Sequence, residues 1–221
     1  FSIPIICVGN IYLGGTGKTP LVSEIFKIAK SLGKNPAFVK KYYVYLKDEI
    51  TMLKKIGKIF VSKKRIEAIE SLIENKNDLA ILDDGFQDFS INKNLSIVCF
   101  NQNQWIGNGF IIPSGPLREK LSALKRAHCI FINGKVDAKI ENEIYKANKN
   151  IEIYYSKYKP LDISKFKDKT IIAFSGIGNP TNFFNLLREN NLLLKEVFYY
   201  PDHNNFSKTE LDSLINKAKS N

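Results

Sequence analysis

Several residue types are scarce in this chain of 221 residues, and each scarcity excludes a class of protein. Three cysteines are present, Cys7, Cys99 and Cys129, an odd number set far apart in apolar segments. A disulfide framework and a zinc site of paired cysteines are therefore not expected, and a reducing cytosol suits the chain. No apolar run approaches the roughly 20 residues of a membrane-spanning helix.

Arginine is also scarce, because only four of the 33 basic side chains are arginines while the formal net charge is +11. The lysines are scattered along the chain rather than gathered in one stripe. Proteins that bind nucleic acids usually present arginines and aromatic residues together on one face. We therefore expect no nucleic-acid partner, and the diffuse charge fits an anionic membrane surface or a phosphorylated substrate instead.

The order of apolar segments predicts the fold class. With 44% hydrophobic residues and only 8 prolines, the chain is expected to form a packed core. Strand-like and helix-like segments alternate, which predicts an α/β fold with a doubly wound, mainly parallel sheet flanked by helices. The strands are expected at residues 3–8, 37–39, 58–62, 79–82, 95–100, 129–133 and 151–158, and the main helices at 18–32, 65–75, 119–126 and 138–148.

A glycine-rich segment between the first predicted strand and the first predicted helix is the strongest chemical signal. Its sequence is Gly14-Gly15-Thr16-Gly17-Lys18-Thr19. Glycines let backbone N–H groups face an anion, the lysine reaches the β- and γ-phosphates, and the threonine hydroxyl can bind Mg²⁺. The strict pattern has one more glycine where this chain has Tyr12. The segment therefore predicts a variant P-loop that binds ATP and Mg²⁺.

Two adjacent carboxylates end another predicted strand. Asp83 and Asp84 follow the apolar run at 79–82. In P-loop enzymes an aspartate at the tip of a neighbouring strand holds the Mg²⁺ that the P-loop threonine also binds. We therefore predict that Asp83, Asp84 and Thr19 form the metal site.

Two domains are expected. The motifs place nucleotide binding in residues 1–160, and residues 161–221 are predicted to form a smaller, incomplete α/β domain after a charged link that contains Pro160. The chain begins at Phe1 without an initiator methionine and ends at Asn221 within or just after a predicted helix. We therefore expect a chain that is shortened at both ends.

Taken in order, the motifs resemble those of the tetraacyldisaccharide 4′-kinases, the lipid A kinases of Gram-negative bacteria. The matching segments beyond the P-loop are Leu82-Asp83-Asp84-Gly85-Phe86-Gln87, Pro113-Ser114-Gly115-Pro116-Leu117-Arg118-Glu119, Ser175-Gly176-Ile177-Gly178-Asn179-Pro180 and Pro201-Asp202-His203. The resemblance implies transfer of the ATP γ-phosphate to the 4′-hydroxyl of a lipid A disaccharide 1-phosphate. It also implies peripheral contact with the cytoplasmic face of the inner membrane, and a P-loop domain joined to a smaller domain across the active-site cleft. We expect a monomer.

The resemblance also assigns roles to single residues. Gln87 and Glu119 match binding positions of the family, and Arg118 matches the arginine beside them, which is suited to holding phosphoryl charge in the transition state. Asp48 and His203 match the aspartate and histidine of the family's general base. The catalytic set is therefore expected to be Asp48, His203 and Arg118.

Two alternatives remain open from the sequence. After the second predicted strand the family carries a longer loop with a Ser-Arg-Gly-Tyr-type stretch, whereas residues 40–46 are Lys-Lys-Tyr-Tyr-Val-Tyr-Leu. This shortening fits a degenerate, non-catalytic remnant of the kinase. The other alternative is a partitioning or metallochaperone-type P-loop ATPase, although such proteins usually have a lysine at the position of Leu13.

Overall fold

The computed structural model describes residues 1–43, 46–160, 162–201 and 204–219. The chain divides into two compact units, Phe1–Lys157 and Tyr158–Asn221.

A seven-stranded sheet forms the centre of the first unit. Its strands are β1 (Ile5–Gly9), β2 (Pro36–Lys41), β3 (Ile59–Ser62), β4 (Leu79–Asp83), β5 (Leu95–Asn101), β6 (Cys129–Asn133) and β7 (Glu152–Ser156). Their order in the sheet is β3-β2-β4-β1-β5-β6-β7, and every pair of neighbours is parallel. The prediction of a doubly wound, mainly parallel sheet is therefore confirmed.

Helices cover both faces of this sheet. On one face α1 (Lys18–Ser31) and α2 (Lys47–Ile56) pack on the strands, and on the other face α3 (Arg65–Glu74) and α4 (Ala138–Ala147) do so. Successive strand residues point to opposite faces, so a sheet covered on both sides needs nearly continuous apolar strands. The run at 79–82 shows this, because its alternate residues enter different hydrophobic clusters.

Two elements differ from the sequence expectations. The main helices expected from the sequence leave out residues 47–56, whereas α2 is a ten-residue helix there. The apolar pattern of α2 is weak, because Leu53 is the one buried residue of this helix within the part of the chain that the structure describes. The helix is favoured instead by acidic residues in its first turn and lysines in its last turn, which complement the helix dipole. The helix expected at 119–126 is a 3-10 helix over Leu121–Arg126, preceded by extended backbone at Lys120.

The described residues of the second unit form a two-stranded parallel sheet, two α-helices and a short 3-10 helix over Ile163–Phe166. Strand β8 (Thr170–Ser175) pairs with β9 (Leu193–Tyr199), and the helices are α5 (Pro180–Glu189) and α6 (Lys208–Lys219). The side chain of Asn179 caps α5 by accepting a hydrogen bond from the N–H of Asn182. Across the described ranges of both units, none of the helices is long and apolar enough to cross a membrane.

Candidate active site

The predicted P-loop lies between β1 and α1. Gly17 is the N-cap of α1 and has a φ of 85°, and Gly14 has a φ of 125°. Both values lie in the left-handed region that favours glycine. Because Gly17 has no side chain to cap the helix, the free N–H groups of the first turn of α1 remain available to an anion.

The contacts of Tyr12 explain how the loop accommodates a large side chain at the position where the strict pattern has glycine. Its side chain is fully buried and its hydroxyl accepts a hydrogen bond from the Asn101 N–H at 2.7 Å. Its ring lies 5.8 Å from that of Phe100. The next residue, Leu13, donates its N–H to the carbonyl of Pro116 at 2.8 Å. Tyr12 therefore anchors the start of the loop on β5.

Asp84 joins two of the other predicted residues, Lys18 and Arg118. Arg118 Nη1 lies 3.0 Å from both carboxylate oxygens of Asp84, and Lys18 Nζ lies 3.8 Å from Oδ1. The backbone carbonyl of Asp84 accepts a hydrogen bond from Arg65 Nη2 at 2.5 Å. Burial raises the pKa of Asp84, but the Lys18 and Arg118 charges outweigh burial and bring the pKa below its ordinary value. Asp84 is therefore an ionised anchor for two cations beside the P-loop.

Gln87 and Glu119, two residues of separate motifs, also meet. Gln87 Nε2 donates to the Glu119 carboxylate at 2.9 Å and to the carbonyl of Asn10 at 2.8 Å. Asn10 is fully buried, and its Nδ2 lies 3.5 Å from the Thr16 hydroxyl. These contacts link the end of β1, the P-loop and the segment that carries Arg118.

Asp83 has a different environment from Asp84. It is 1% exposed at the end of β4, and its Oδ2 is paired with the ammonium of Lys40, which is itself 3% exposed. Lys40 also lies 2.6 Å from Oε2 of Glu49. Burial lowers the pKa of Lys40, but the Asp83 and Glu49 carboxylates outweigh burial, so the pKa lies above its ordinary value. The lysine is therefore charged inside the protein.

One oxygen of Asp83 fits a bound cation. Asp83 Oδ1 is buried and has no hydrogen-bond partner among the residues that the structure describes. Thr19 lies in the first turn of α1 with its hydroxyl-bearing side chain partly exposed. Over the same residues there is no cluster of three or more His, Cys, Asp or Glu side chains. Mg²⁺ suits such a site because it usually takes one or two protein carboxylates and fills its shell with phosphates and water.

Two arginines that were not predicted from the sequence, Arg126 and Arg65, also contact residues of the site. The Arg126 guanidinium lies 4.7 Å from the centre of the Phe86 ring and 4.6 Å from that of Phe89, and Nη2 is 2.7 Å from Glu119. Arg65 donates a hydrogen bond to the backbone carbonyl of Asp84. The scarcity of arginine could have pointed to Arg65 and Arg126, since three of the four arginines contact Asp84 or Glu119.

The predicted general base is only partly described. Asp48 lies in the first turn of α2 and is exposed, directly before Glu49. His203 lies outside the described residues. The pairing of Asp48 with His203 therefore stays a prediction.

Comparisons with known proteins agree with these motifs. The family model described as Tetraacyldisaccharide-1-P 4′-kinase matches residues 1–221. A tetraacyldisaccharide 4′-kinase of Pelagibacter ubique (strain HTCC1062) is 44% identical over 221 residues, which are 99% of this chain and 70% of that relative. One from Rickettsia conorii (strain ATCC VR-613 / Malish 7) is 36% identical over 235 residues, 97% of this chain and 71% of that relative.

A solved structure shares the fold. The crystal structure of an "apo" form of LpxK from Aquifex aeolicus in complex with ATP matches with a TM-score of 0.68 at 24% identity. The match covers 94% of this chain and 74% of that one.

Proposed function

Since this chain belongs to the tetraacyldisaccharide 4′-kinase family, whose members are ATP-using kinases of lipid A biosynthesis, we propose how its own residues carry the phosphoryl transfer. The observation that supports the assignment is the convergence of Lys18 and Arg118 on the Asp84 carboxylate beside the P-loop. A match along the whole chain also favours the kinase over a partitioning-type ATPase.

The donor side of the reaction belongs to the first unit. The N–H groups at the start of α1 bind phosphate oxygens, and Lys18 neutralises the β- and γ-phosphates. Arg118 stabilises the charge that spreads over the transferring phosphoryl group. Because Asp84 holds both cations in place before ATP arrives, they need little rearrangement at the moment of transfer.

The two aspartates take different roles. Asp83, whose buried Oδ1 has no hydrogen-bond partner among the described residues, and the Thr19 hydroxyl would hold Mg²⁺. Mg²⁺ bound there would neutralise phosphate charge. Both oxygens of Asp84 already accept from Arg118, so Asp84 acts mainly by positioning that arginine. We expect Asp83→Asn to raise the Mg²⁺ concentration needed for half-maximal turnover by about tenfold or more. An unchanged Mg²⁺ dependence would remove Asp83 from the metal site.

The acceptor side uses Asp48 and His203 as the general base that takes the proton of the 4′-hydroxyl. We expect His203→Ala to lower the single-turnover rate by about 10²–10⁴ while ATP affinity stays nearly constant. Asp48→Asn should lower the single-turnover rate by no more than His203→Ala does. The measurement is transfer from labelled ATP to the disaccharide 1-phosphate in detergent. A parent chain that transfers at the same rate without His203 would exclude this base.

The same assay addresses the remnant alternative. A parent chain that binds ATP with Mg²⁺ but transfers no phosphate to the disaccharide is a nucleotide-binding remnant. We expect transfer, because the donor-side contacts among Lys18, Asp84 and Arg118 are all formed.

We also propose that the chain works as a monomer at the cytoplasmic face of the inner membrane, where its lipid acceptor lies. The net charge of +11 favours contact with anionic headgroups. Sedimentation with vesicles tests this, since binding to anionic vesicles at low salt should be lost with neutral phosphatidylcholine or at high salt. Equal binding to both vesicle types would contradict an electrostatic contact.

A further inference from the structure

Lys40 is a buried lysine that connects two elements of the site. It lies opposite Asp83 in the register of β2 and β4, and its ammonium contacts Asp83 Oδ2 on one side and Glu49 Oε2 at 2.6 Å on the other. Lysine is almost never fully buried unless it is paired with a partner of opposite charge. Here one ammonium serves two carboxylates that come from different elements.

The two carboxylates belong to elements that differ in how firmly they are packed. Asp83 is fixed at the end of a central strand, whereas Glu49 belongs to the first turn of α2 and is 30% exposed. Within the part of α2 that the structure describes, Leu53 is the one buried residue, and it lies a turn further along the helix. The contact through Lys40 is therefore a polar link between the start of α2 and the sheet.

We propose that Lys40 is a positioning residue whose ammonium holds Asp83 and Glu49 together, which fixes the first turn of α2 and the neighbouring Asp48 against the end of β4 before any Mg²⁺ or nucleotide binds. The inference rests on the proposed function only where it assigns Asp48 to the acceptor side. The link between helix and sheet is independent of that role.

The charge of Lys40, not only its volume, is what the contact needs. Without the ammonium, two carboxylates would face each other in a buried site and would repel. A divalent cation is the other species that bridges two carboxylates. In the parent, Lys40 bridges Asp83 and Glu49 without any metal. Without this lysine, the contact between the two carboxylates should depend on a bound divalent cation.

The first test measures melting temperature without nucleotide, with and without Mg²⁺. Lys40→Met should lower the melting temperature by about 6–20 °C, since it leaves the buried Asp83 carboxylate without its cation. Mg²⁺ at about 10 mM should restore about 3–6 °C in this variant and less than about 1 °C in the parent. Lys58→Met is the control, because Lys58 is an exposed lysine that lies just before β3 and contacts Asn75 instead. The proposal would be overturned if Lys40→Met had the same melting temperature as Lys58→Met, or if Mg²⁺ raised its melting temperature no more than it raises that of the parent.

A second variant keeps the proposal testable if Lys40→Met does not fold. Glu49→Gln keeps the Lys40–Asp83 pair and weakens only the link to α2. Amide hydrogen exchange in the first turns of α2 should then become about tenfold faster or more, while exchange in α3 stays unchanged. Unchanged protection of α2 would contradict the proposed link.

Kinetics separate positioning from a general loss of structure. Lys40→Met, assayed below its melting temperature, should lower kcat by about 10–100-fold with the KM for ATP changed less than about twofold, and Lys40→Arg should recover part of kcat. Equal effects on kcat and on the KM for ATP, or no recovery by arginine, would exclude the positioning role. The melting and exchange measurements involve no turnover, so they remain informative even if the kinase assignment of Asp48 fails.

Discussion

Arg118 places one guanidinium nitrogen 3.0 Å from both carboxylate oxygens of Asp84, although 34 residues separate them in the chain. The same carboxylate lies 3.8 Å from the Lys18 ammonium. One anion thus holds the lysine of the P-loop and a second cation side by side. Such an arrangement is preorganised for a phosphoryl group, because the positive charges are in position before the negative charge develops.

Loss of Arg118 should affect transfer more than binding. We expect Arg118→Ala to lower the single-turnover rate of phosphoryl transfer by about 10²–10³, the usual cost of removing one transition-state donor, with ATP affinity reduced less than about tenfold. Arg188→Ala is the matched control, since Arg188 is an exposed arginine of α5 that contacts Asn185. Equal rates for the two variants would show that Arg118 has no part in transfer.

Loss of Lys18 should weaken ATP binding itself. We expect Lys18→Ala to raise the Kd for Mg²⁺–ATP by about 10–100-fold, since a charged contact of about 1.5–3 kcal/mol is removed. Isothermal titration calorimetry gives the Kd directly. Lys27→Ala serves as the control on the same helix, because Lys27 is exposed and pairs only with Glu24 among the described residues. An unchanged Kd for Lys18→Ala would contradict the P-loop assignment.

Asp88 should give the folded state a pH-dependent stabilisation. Burial raises the pKa of Asp88, but hydrogen bonds from Ser90 and Arg65 outweigh burial, so the pKa lies below its ordinary value of 3.8. A depressed pKa stabilises the fold fully above the unfolded-state value, and this stabilisation is lost as the pH falls through the folded-state value. Asp88→Asn should therefore cost about 0.5–1.5 kcal/mol at neutral pH.

Urea unfolding at several pH values measures this effect. The difference between the parent and Asp88→Asn should be constant from about pH 7 to pH 5 and should shrink below about pH 4. Asp162→Asn is the control, because Asp162 forms only a highly exposed pair with Lys165 in the described structure. A difference that persists unchanged at the lowest pH would show that ionisation of Asp88 is not its cause.

The three cysteines should resist thiol reagents in the folded protein. All three are free and buried, and burial raises the pKa of Cys7 and Cys99 to about 12 and that of Cys129 to about 11. A thiol with a pKa near 12 is a thiolate in only about one molecule in 10⁴ at pH 8, and the thiolate is the reactive form. Reaction with a chromogenic disulfide should therefore be slow until denaturant releases all three thiols. Ser31→Cys, at an exposed position, should react at once. Rapid reaction of the parent would contradict this burial.

Local sequence patterns were sufficient for the parallel sheet and for the position of the glycine-rich segment between β1 and α1. The strand expected at 129–133 is Cys129–Asn133, because a strand buried on both faces must be apolar along its whole length. The P-loop was predictable because a phosphate cradle requires glycines and a lysine at fixed spacing within one segment. Tyr12 at the variant position did not conceal the motif.

The sequence pattern was insufficient where an element depends on distant partners. Helix α2 has a single buried residue, Leu53, among its described residues, so its apolar period is too weak to mark a helix. The six residues of the 3-10 helix after Lys120 also carry no cap or period that would separate it from an α-helix.

By itself, the sequence determined which chemical groups this protein has and in what order: a P-loop after the first strand, two aspartates at the end of the fourth, and Arg118 and Glu119 further along the chain. It could not determine which aspartate meets which cation. Tertiary structure decided that Asp84 takes Lys18 and Arg118 while Asp83 takes Lys40. The physical reason is that parallel strands bring their carboxyl ends to one edge of the sheet, and the left-handed backbone of Asp84, with a φ of 59°, follows directly after Asp83 at that edge. Two neighbours in the chain therefore serve different partners, and that division exists only in the folded protein.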